Sequence, residues 1–368
     1  MAREGGWLMT KTNRIRYFAA CNSEHGFHSF YSQVFRETLP RIYIIKGGPG
    51  TGKSSLMRRA ADRAQERGFY VEEICCSSDP DSLDGILAFD ECGREQLAVL
   101  DGTAPHVREL ELAGARDEIL YVGDFWSVAA LTKQREAIAL DIRMRANAYR
   151  RLFRYLQAAG QCAHNASDIL FDSLDTRKLK EAVAAILTEY PTGSEFEERT
   201  MIMRSIGMRG ALRFSTFEQA ASSVYEICDC ASLAHYLFDE IYTQAKQSQM
   251  KMWVSRDPLI PEYIDGIYLP EVKCAFVYGK GALSGEMCES KETYCLSMRS
   301  YINEDLVQKM AAPLAEAENN EMRLMRAAYG VLEEIRDIHF RLEKKYVNAM
   351  DFEGLNAYTE KWLEKILP

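Results

Sequence analysis

Residues 42–68 read IYIIKGGPGTGKSSLMRRAADRAQERG, and the stretch beginning at Val224 reads VYEICDCASLAHYLFDEIYTQAKQSQ. The first sets a glycine-rich turn between an apolar, β-forming run and an amphipathic helical pattern. Gly47 to Ser54 fits G-x-x-x-x-G-K-[ST] in full, a spacing that builds a phosphate cradle. Glycines let the backbone approach a ligand closely and take dihedrals closed to other residues. Amides from Gly50 onward, with the helix N-terminus near Lys53, would face the phosphates. Lys53 adds a point charge for the terminal phosphates, and the Ser54 hydroxyl suits a Mg²⁺ coordination sphere. The candidate phosphate-binding residues are Gly47, Gly48, Pro49, Gly50, Thr51, Gly52, Lys53, Ser54 and Ser55. The second stretch keeps the strand and the helix but has neither the glycines nor the lysine.

The two stretches belong to an internal repeat with an offset near 178 residues. SSDPDSLDGIL (77–87) matches SRDPLIPEYIDGIYL (255–269), and LAVLDG (97–102) matches CAFVYG (274–279). ANAYRRLFRYL (146–156) falls on RAAYGVLEEIR (326–336), and LDTRKLKEAVAAIL (174–187) on MDFEGLNAYTEKWL (350–363). GFHSF from Gly26 has its counterpart in GALRF from Gly210. A common order at a nearly constant offset argues for duplication.

The turn-rich EYPTGSEFEE (189–198) divides the halves, so domains are expected over 14–190 and 197–368. In the first half RIYIIK, GFYVEEICC, QLAVLD and EILYVG are apolar enough to be strands buried on both faces. Residues 127–188 read as helix. The expected fold class is α/β: two tandem three-layer domains, each a parallel sheet with helices on both faces and an added helical segment.

On GGPGTGKS in its strand–turn–helix context, the chain resembles the P-loop NTPase superfamily. On KGGPGTGKS, CSSDPDSLDG and DGTAPH in this order, it is similar to a group of bacterial tandem ATP-binding proteins with a degenerate second domain. The resemblance implies P-loop-like domains, with ATP and Mg²⁺ bound in the first half only. It also implies a strand-end carboxylate that orders Mg²⁺. LAVLD ends on Asp101, which makes Ser54 and Asp101 the candidate metal ligands. Gly102 follows, where many ATPases carry a water-polarising Glu; this departure would suit a kinase. Asp124 in YVGDFW ends the next strand on the same carboxyl edge. It is a candidate base or water-positioning residue, or a helix N-cap. Lys53, Asp101 and Asp124 form the candidate catalytic set.

The repeat serves as an internal control, because a residue kept in both halves serves the fold. Asp101 is matched by Tyr278 and Asp124 by Arg299, while the cradle shrinks to ICDCAS. Asp79-Pro80 and Asp84-Gly85 recur as Asp257-Pro258 and Asp265-Gly266, and read as structural. GTAPH becomes GKGAL, which makes Thr103 and His106 site candidates. Arg143, Arg150 and Arg154 share one helix face, either as a lid over phosphates or as a solvated face. LSGEM at Leu283 follows the degenerate strand end in a half without a phosphate loop, so its likeness to the ABC-transporter signature is coincidence.

A net charge of −9 argues against broad binding to a nucleic-acid backbone. The N-terminus has no apolar signal region and no run is long enough to span a bilayer, so a cytoplasmic protein is expected. Ten scattered cysteines fit that compartment. Cys228 and Cys230 form a C-x-C without a second pair at zinc spacing, and His25 and His28 read as packing residues. Three functions remain: ATP hydrolysis coupled to a conformational change, a small-molecule or nucleotide kinase, and a nucleotide-sensing interaction module. The acceptor or protein partner is left open, and the second domain is expected to pack on the first. Absence of N-K-x-D in the sequence favours ATP over GTP.

Overall fold

The computed structural model describes residues 14–229, 233–279 and 292–367. β1 (Arg14–Phe18) is followed by the hairpin β2 (Ala20–Ser23) and β3 (Gly26–Ser29), then by the short α1 (Tyr31–Val34). β4 (Ile42–Lys46) runs into α2 (Lys53–Glu66). β5 (Tyr70–Cys75), β6 (Leu83–Phe89) and β7 (Glu95–Asp101) form a meander. β8 (Asp117–Tyr121) leads to α3 (Val128–Lys133), the long α4 (Arg135–Phe171) and α5 (Thr176–Leu187).

The second half repeats the series element for element. β9 (Glu198–Thr200), β10 (Arg204–Gly207), β11 (Gly210–Arg213) and α6 (Thr216–Ala220) open it. β12 (Ser223–Cys228), α7 (Ala234–Gln247), β13 (Met252–Arg256), β14 (Ile264–Leu269) and β15 (Cys274–Tyr278) follow. β16 (Glu292–Ser297), α8 (Glu304–Lys309), α9 (Ala311–Val347) and α10 (Phe352–Ile366) complete it.

The two sheets have the same strand order, β1-β5-β6-β7-β4-β8 and β9-β13-β14-β15-β12-β16. This identity of topology supports the duplication independently of residue matches. Neither sheet is wholly parallel, which corrects the expectation. β6 is antiparallel to β5 and β7, and β14 to β13 and β15; the remaining pairs are parallel. The connections 76–82 and 90–94 are too short for a crossover, so the chain can only turn back.

The three-layer expectation is also corrected. One face of the first sheet is covered by α2, with Leu56, Met57, Ala60 and Ala64 on Ile45, Val71, Ile86 and Val99. Its other face shares a core with the second sheet: Ile44, Leu87 and Leu100 belong with Phe35, Phe217, Tyr268 and Val277. Each sheet is therefore closed on one side by the other half.

The halves also exchange their last helices. Leu355, Trp362 and Leu363 of α10, with Leu367, pack into the core built on α2. Leu179, Val183 and Leu187 of α5 pack with Leu237, Phe238 and Ile241 of α7. Between them α4 and α9, each of 37 residues, lie along one another with Leu152, Leu156, Leu332 and Ile335 in the seam. Their bounds correspond at an offset of 176 residues. In the structure ANAYRRLFRYL thus corresponds to 322–332, one helical turn from the stretch matched by sequence. A slide of four residues keeps the same face of a helix, so the apolar pattern could not reveal the slip. Among the described residues no helix is long and apolar enough to cross a membrane.

Candidate functional site

β4 lies between β7 and β8 and delivers its carboxyl end to the glycine-rich turn. Gly50 and Gly52 have φ of +67° and +83°, the left-handed region that a side chain strains to enter. Gly52 precedes α2 without a side-chain cap, so the first amides of that helix receive nothing from it. Lys53 Nζ donates to the carbonyls of Gly47 (3.2 Å) and Gly48 (2.7 Å). It also stands 3.5 Å from Asp101 Oδ2. Pairing of Ile45 with Asp101 in register brings that carboxylate beside the loop. Asp101 Oδ1 accepts from the Thr103 N–H (2.8 Å) and hydroxyl (2.6 Å). The Ser54 hydroxyl accepts from the Leu83 N–H at 3.0 Å, and Thr51 donates to Gly48 O at 2.8 Å. Ser55 is exposed in the first turn of α2.

Lys53, Ser54, Asp101 and Thr103 are thus brought together. A cationic head, a hydroxyl, a carboxylate and a helix N-terminus preceded by left-handed glycines suit a Mg²⁺-bound phosphate chain. Asp124 is placed elsewhere. It is exposed on a 3₁₀ turn, Val122–Phe125, and its charge acts on the Tyr358 phenol of α10. The cap of α3 is Ser127, whose Oγ accepts from the Ala130 N–H at 3.3 Å. His106 is buried, 3.1 Å from Asp84 and stacked on Tyr31, so it supports the fold beside Asp84.

Gly102 has a packing reason. A Cβ there would lie 2.2 Å from Ile44, and one at its counterpart Gly279 would lie 2.9 Å from the Ile227 carbonyl. The glycine is kept in both halves for the fold.

The last turns of α9 lie over the loop: a Cβ on Gly48 would come within 2.8 Å of Tyr346, and one on Gly50 within 2.5 Å of Glu343. Burial, then the charge of Asp79, holds the Glu343 carboxyl above its ordinary range against the opposing pull of Lys53. One turn earlier His339 is held below its ordinary value by burial and then by Arg145. Glu343 therefore lies against the loop, with Asp79 and Lys53 in its electrostatic reach and Arg145 in that of His339, and the sequence reading assigned none of Asp79, Arg145, His339 and Glu343 to it. Arg143, Arg150 and Arg154 are exposed, with Arg150 bonded to Asn147 of its own helix; they form the solvated face. A spacing of two residues would have turned attention from Arg143 to Arg145, but only the docking of α9 shows which face of α4 matters.

The second half closes the corresponding helix end with its own side chains. Asp229 Oδ1 accepts from the N–H groups of Leu233 (2.9 Å) and Ala234 (2.8 Å), where α7 begins. The Tyr278 hydroxyl donates to its other oxygen at 3.1 Å. An internal carboxylate thus holds this helix end. Cys230 and the LSGEM segment lie outside the described residues. Cys228 Sγ is 2.9 Å from Cys295 Sγ.

Glu24, His25 and Glu262 cluster closely enough to hold a metal ion. The repeat gives a plainer account, since Arg209 and Asp81 pair where His25 and Glu262 pair. His28 packs on Phe30, their ring centroids 4.7 Å apart. In comparisons of the chain with protein-family models, with curated proteins and with solved structures, nothing matches.

Proposed function

We propose that the first half binds Mg-ATP at the glycine-rich loop as a P-loop NTPase does and hydrolyses it, with α9 of the second half as the covering element. The observation that carries this reading is Lys53, held between two loop carbonyls and Asp101 at the start of α2. Ser54 and Asp101 would hold Mg²⁺, which would supply charge neutralisation on the phosphates. Lys53 and the α2 amides bind and orient the triphosphate. Glu343, with its raised proton affinity, is suited to orient a water and take its proton. Its position on α9 ties turnover to movement of the second half.

Calorimetry with Mg-ATP should give about one site per chain. Lys53→Ala should weaken binding about tenfold to a hundredfold, the worth of a charge-assisted contact of about 1.5–3 kcal/mol. Asp101→Ala should impair turnover and Mg²⁺ dependence more than affinity. Unchanged affinity in a folded Lys53→Ala protein would rule out the loop assignment. Glu343→Gln is expected to lower kcat about a hundredfold with little change in ATP affinity. Equal kcat in that variant would remove Glu343 from the reaction.

Phosphoryl transfer to a small acceptor is the second reading, in which Glu343 beside the loop would take the acceptor's proton in place of water's. ATP labelled on its terminal phosphate, incubated with and without cell-extract metabolites, separates the two. Free phosphate alone means hydrolysis, a labelled metabolite means a kinase, and neither means a sensor.

A further inference from the structure

The counterpart of the phosphate site in the second half is an open cavity. A space of about 240 Å³ lies at the carboxyl edge of the second sheet, between the start of α7 and the flank of α9. Its walls correspond to the phosphate site position by position. Ala234 and His235 stand where Lys53 and Ser54 stand, and Tyr278 where Asp101 stands. On the long helices Glu321 stands where Arg145 stands. Lys53 and Arg145 have given way to alanine and a carboxylate, and Asp101 to a neutral phenol, so the charge without a partner at the second site is the Glu321 carboxylate.

The other charges of the cavity satisfy one another. Arg204 pairs with Asp257 and, at 2.7 Å, with Asp265. Asp229 is held by the α7 amides and Tyr278. His235 lies flat against Tyr263, their rings 3.8 Å apart. Glu321, by contrast, has no hydrogen-bond or ion-pair partner among the described residues. Burial, then Asp257, Glu318 and Asp229, pushes its carboxyl up to about 7. Ser205, 1% exposed on the cavity wall, also keeps a hydroxyl without a hydrogen-bond partner. Ile260, Met325 and Tyr329 make the remaining wall apolar and aromatic.

We propose that this cavity binds a small organic cation, an ammonium compound with an apolar body, whose charge pairs with Glu321. The ammonium would neutralise the one carboxylate left without a partner, and the apolar and aromatic walls would face its body. Phosphate and carboxylate compounds are excluded by the excess of acidic groups and by Asp229 already holding the helix end. The site stands independently of whether the first half hydrolyses ATP.

A carboxyl whose folded value lies above its ordinary one favours the folded state at low pH, and that stability is lost as pH rises through about 7. Glu321→Gln should therefore melt a few degrees above the parent protein at pH 8 and match it near pH 5. Equal melting curves at both values would place Glu321 in water.

The binding test uses the full chain and three probes of one shape: phenethylammonium, 2-phenylethanol and phenylacetate. Calorimetry is expected to show one phenethylammonium per chain, the alcohol at least about tenfold weaker, and phenylacetate undetected. Glu321→Gln should lower phenethylammonium affinity about tenfold and leave the alcohol unchanged, while Lys53→Ala should alter neither. No phenethylammonium binding at millimolar concentration would overturn the proposal. So would equal binding of amine and alcohol, or an affinity unmoved by Glu321→Gln in a folded protein.

Discussion

A chain ended at Met350, lacking α10, is expected to aggregate, although every residue of the glycine-rich loop is still present. Leu355, Trp362, Leu363 and Leu367 are each at most 4% exposed, and all four pack on the first half's core. Fully burying such a side chain contributes about 1.5–3 kcal/mol, so the helix supplies roughly 6–12 kcal/mol of gross burial, a sum comparable to the ~5–15 kcal/mol of a whole domain. Its loss also bares α2 and strips Leu355 from beside Gly52, where a Cβ would be only 3.0 Å away. Residues 1–190 alone should fail for the same reason, and additionally because α5 would have no α7 to cover. The single substitution Trp362→Ala is the graded version, with an expected loss of about 3–5 kcal/mol in urea melts. A soluble, monomeric chain of residues 1–350 that binds ATP would rule out this role for the exchanged helix.

How much of this was legible beforehand depends on the range of the interaction. The loop was fully legible, because its glycines, lysine and serine are fixed by local backbone geometry, and Gly50 and Gly52 adopt the left-handed conformations their residue type permits. The duplication was legible because both halves keep apolar runs in one order. Asp101 was legible as a strand end, and its position 3.5 Å from Lys53 follows from β7 pairing directly with β4.

Long-range partners were not legible. β6 was hidden because SSDPDSLDGIL carries turn residues at its start, and its direction depends on two short connections. The exchange of α5 and α10 leaves no local mark: an amphipathic helix has the same pattern whichever half it covers. Glu343 lies far from the loop in sequence, and nothing in RLEKKY distinguishes it from a solvated residue. Its place beside the loop depends on α9 running the length of α4, which leaves Arg145 half-buried and Arg143, Arg150 and Arg154 exposed.

The second large expected effect concerns what keeps unlike halves together. Glu72 on β5 is 1% exposed and accepts from Arg199 of β9 through both guanidinium arms, at 3.1 and 2.9 Å. Tyr17 donates to the same carboxylate at 2.8 Å, and the guanidinium lies over Phe89 and Trp253. Glu72→Gln keeps an acceptor for Tyr17 but leaves Arg199 buried without a counter-charge, which should cost about 3–5 kcal/mol. Glu72→Gln combined with Arg199→Met removes both charges and should recover most of that loss, because a buried pair contributes little beyond its own desolvation. Urea melts of the three proteins measure this, and a double variant as unstable as the single one would show that packing, not charge, is lost. The pair is not symmetric. In register with their neighbours, Ile15 faces Glu72 in the first half and Arg199 faces Trp253 in the second. A first half paired with another first half would bury Glu72 opposite Ile15 with no cation, and two second halves would bury two arginines. The charge pair thus selects contact between unlike halves over contact between like halves, and contact between unlike halves is what sets α9 over the glycine-rich loop.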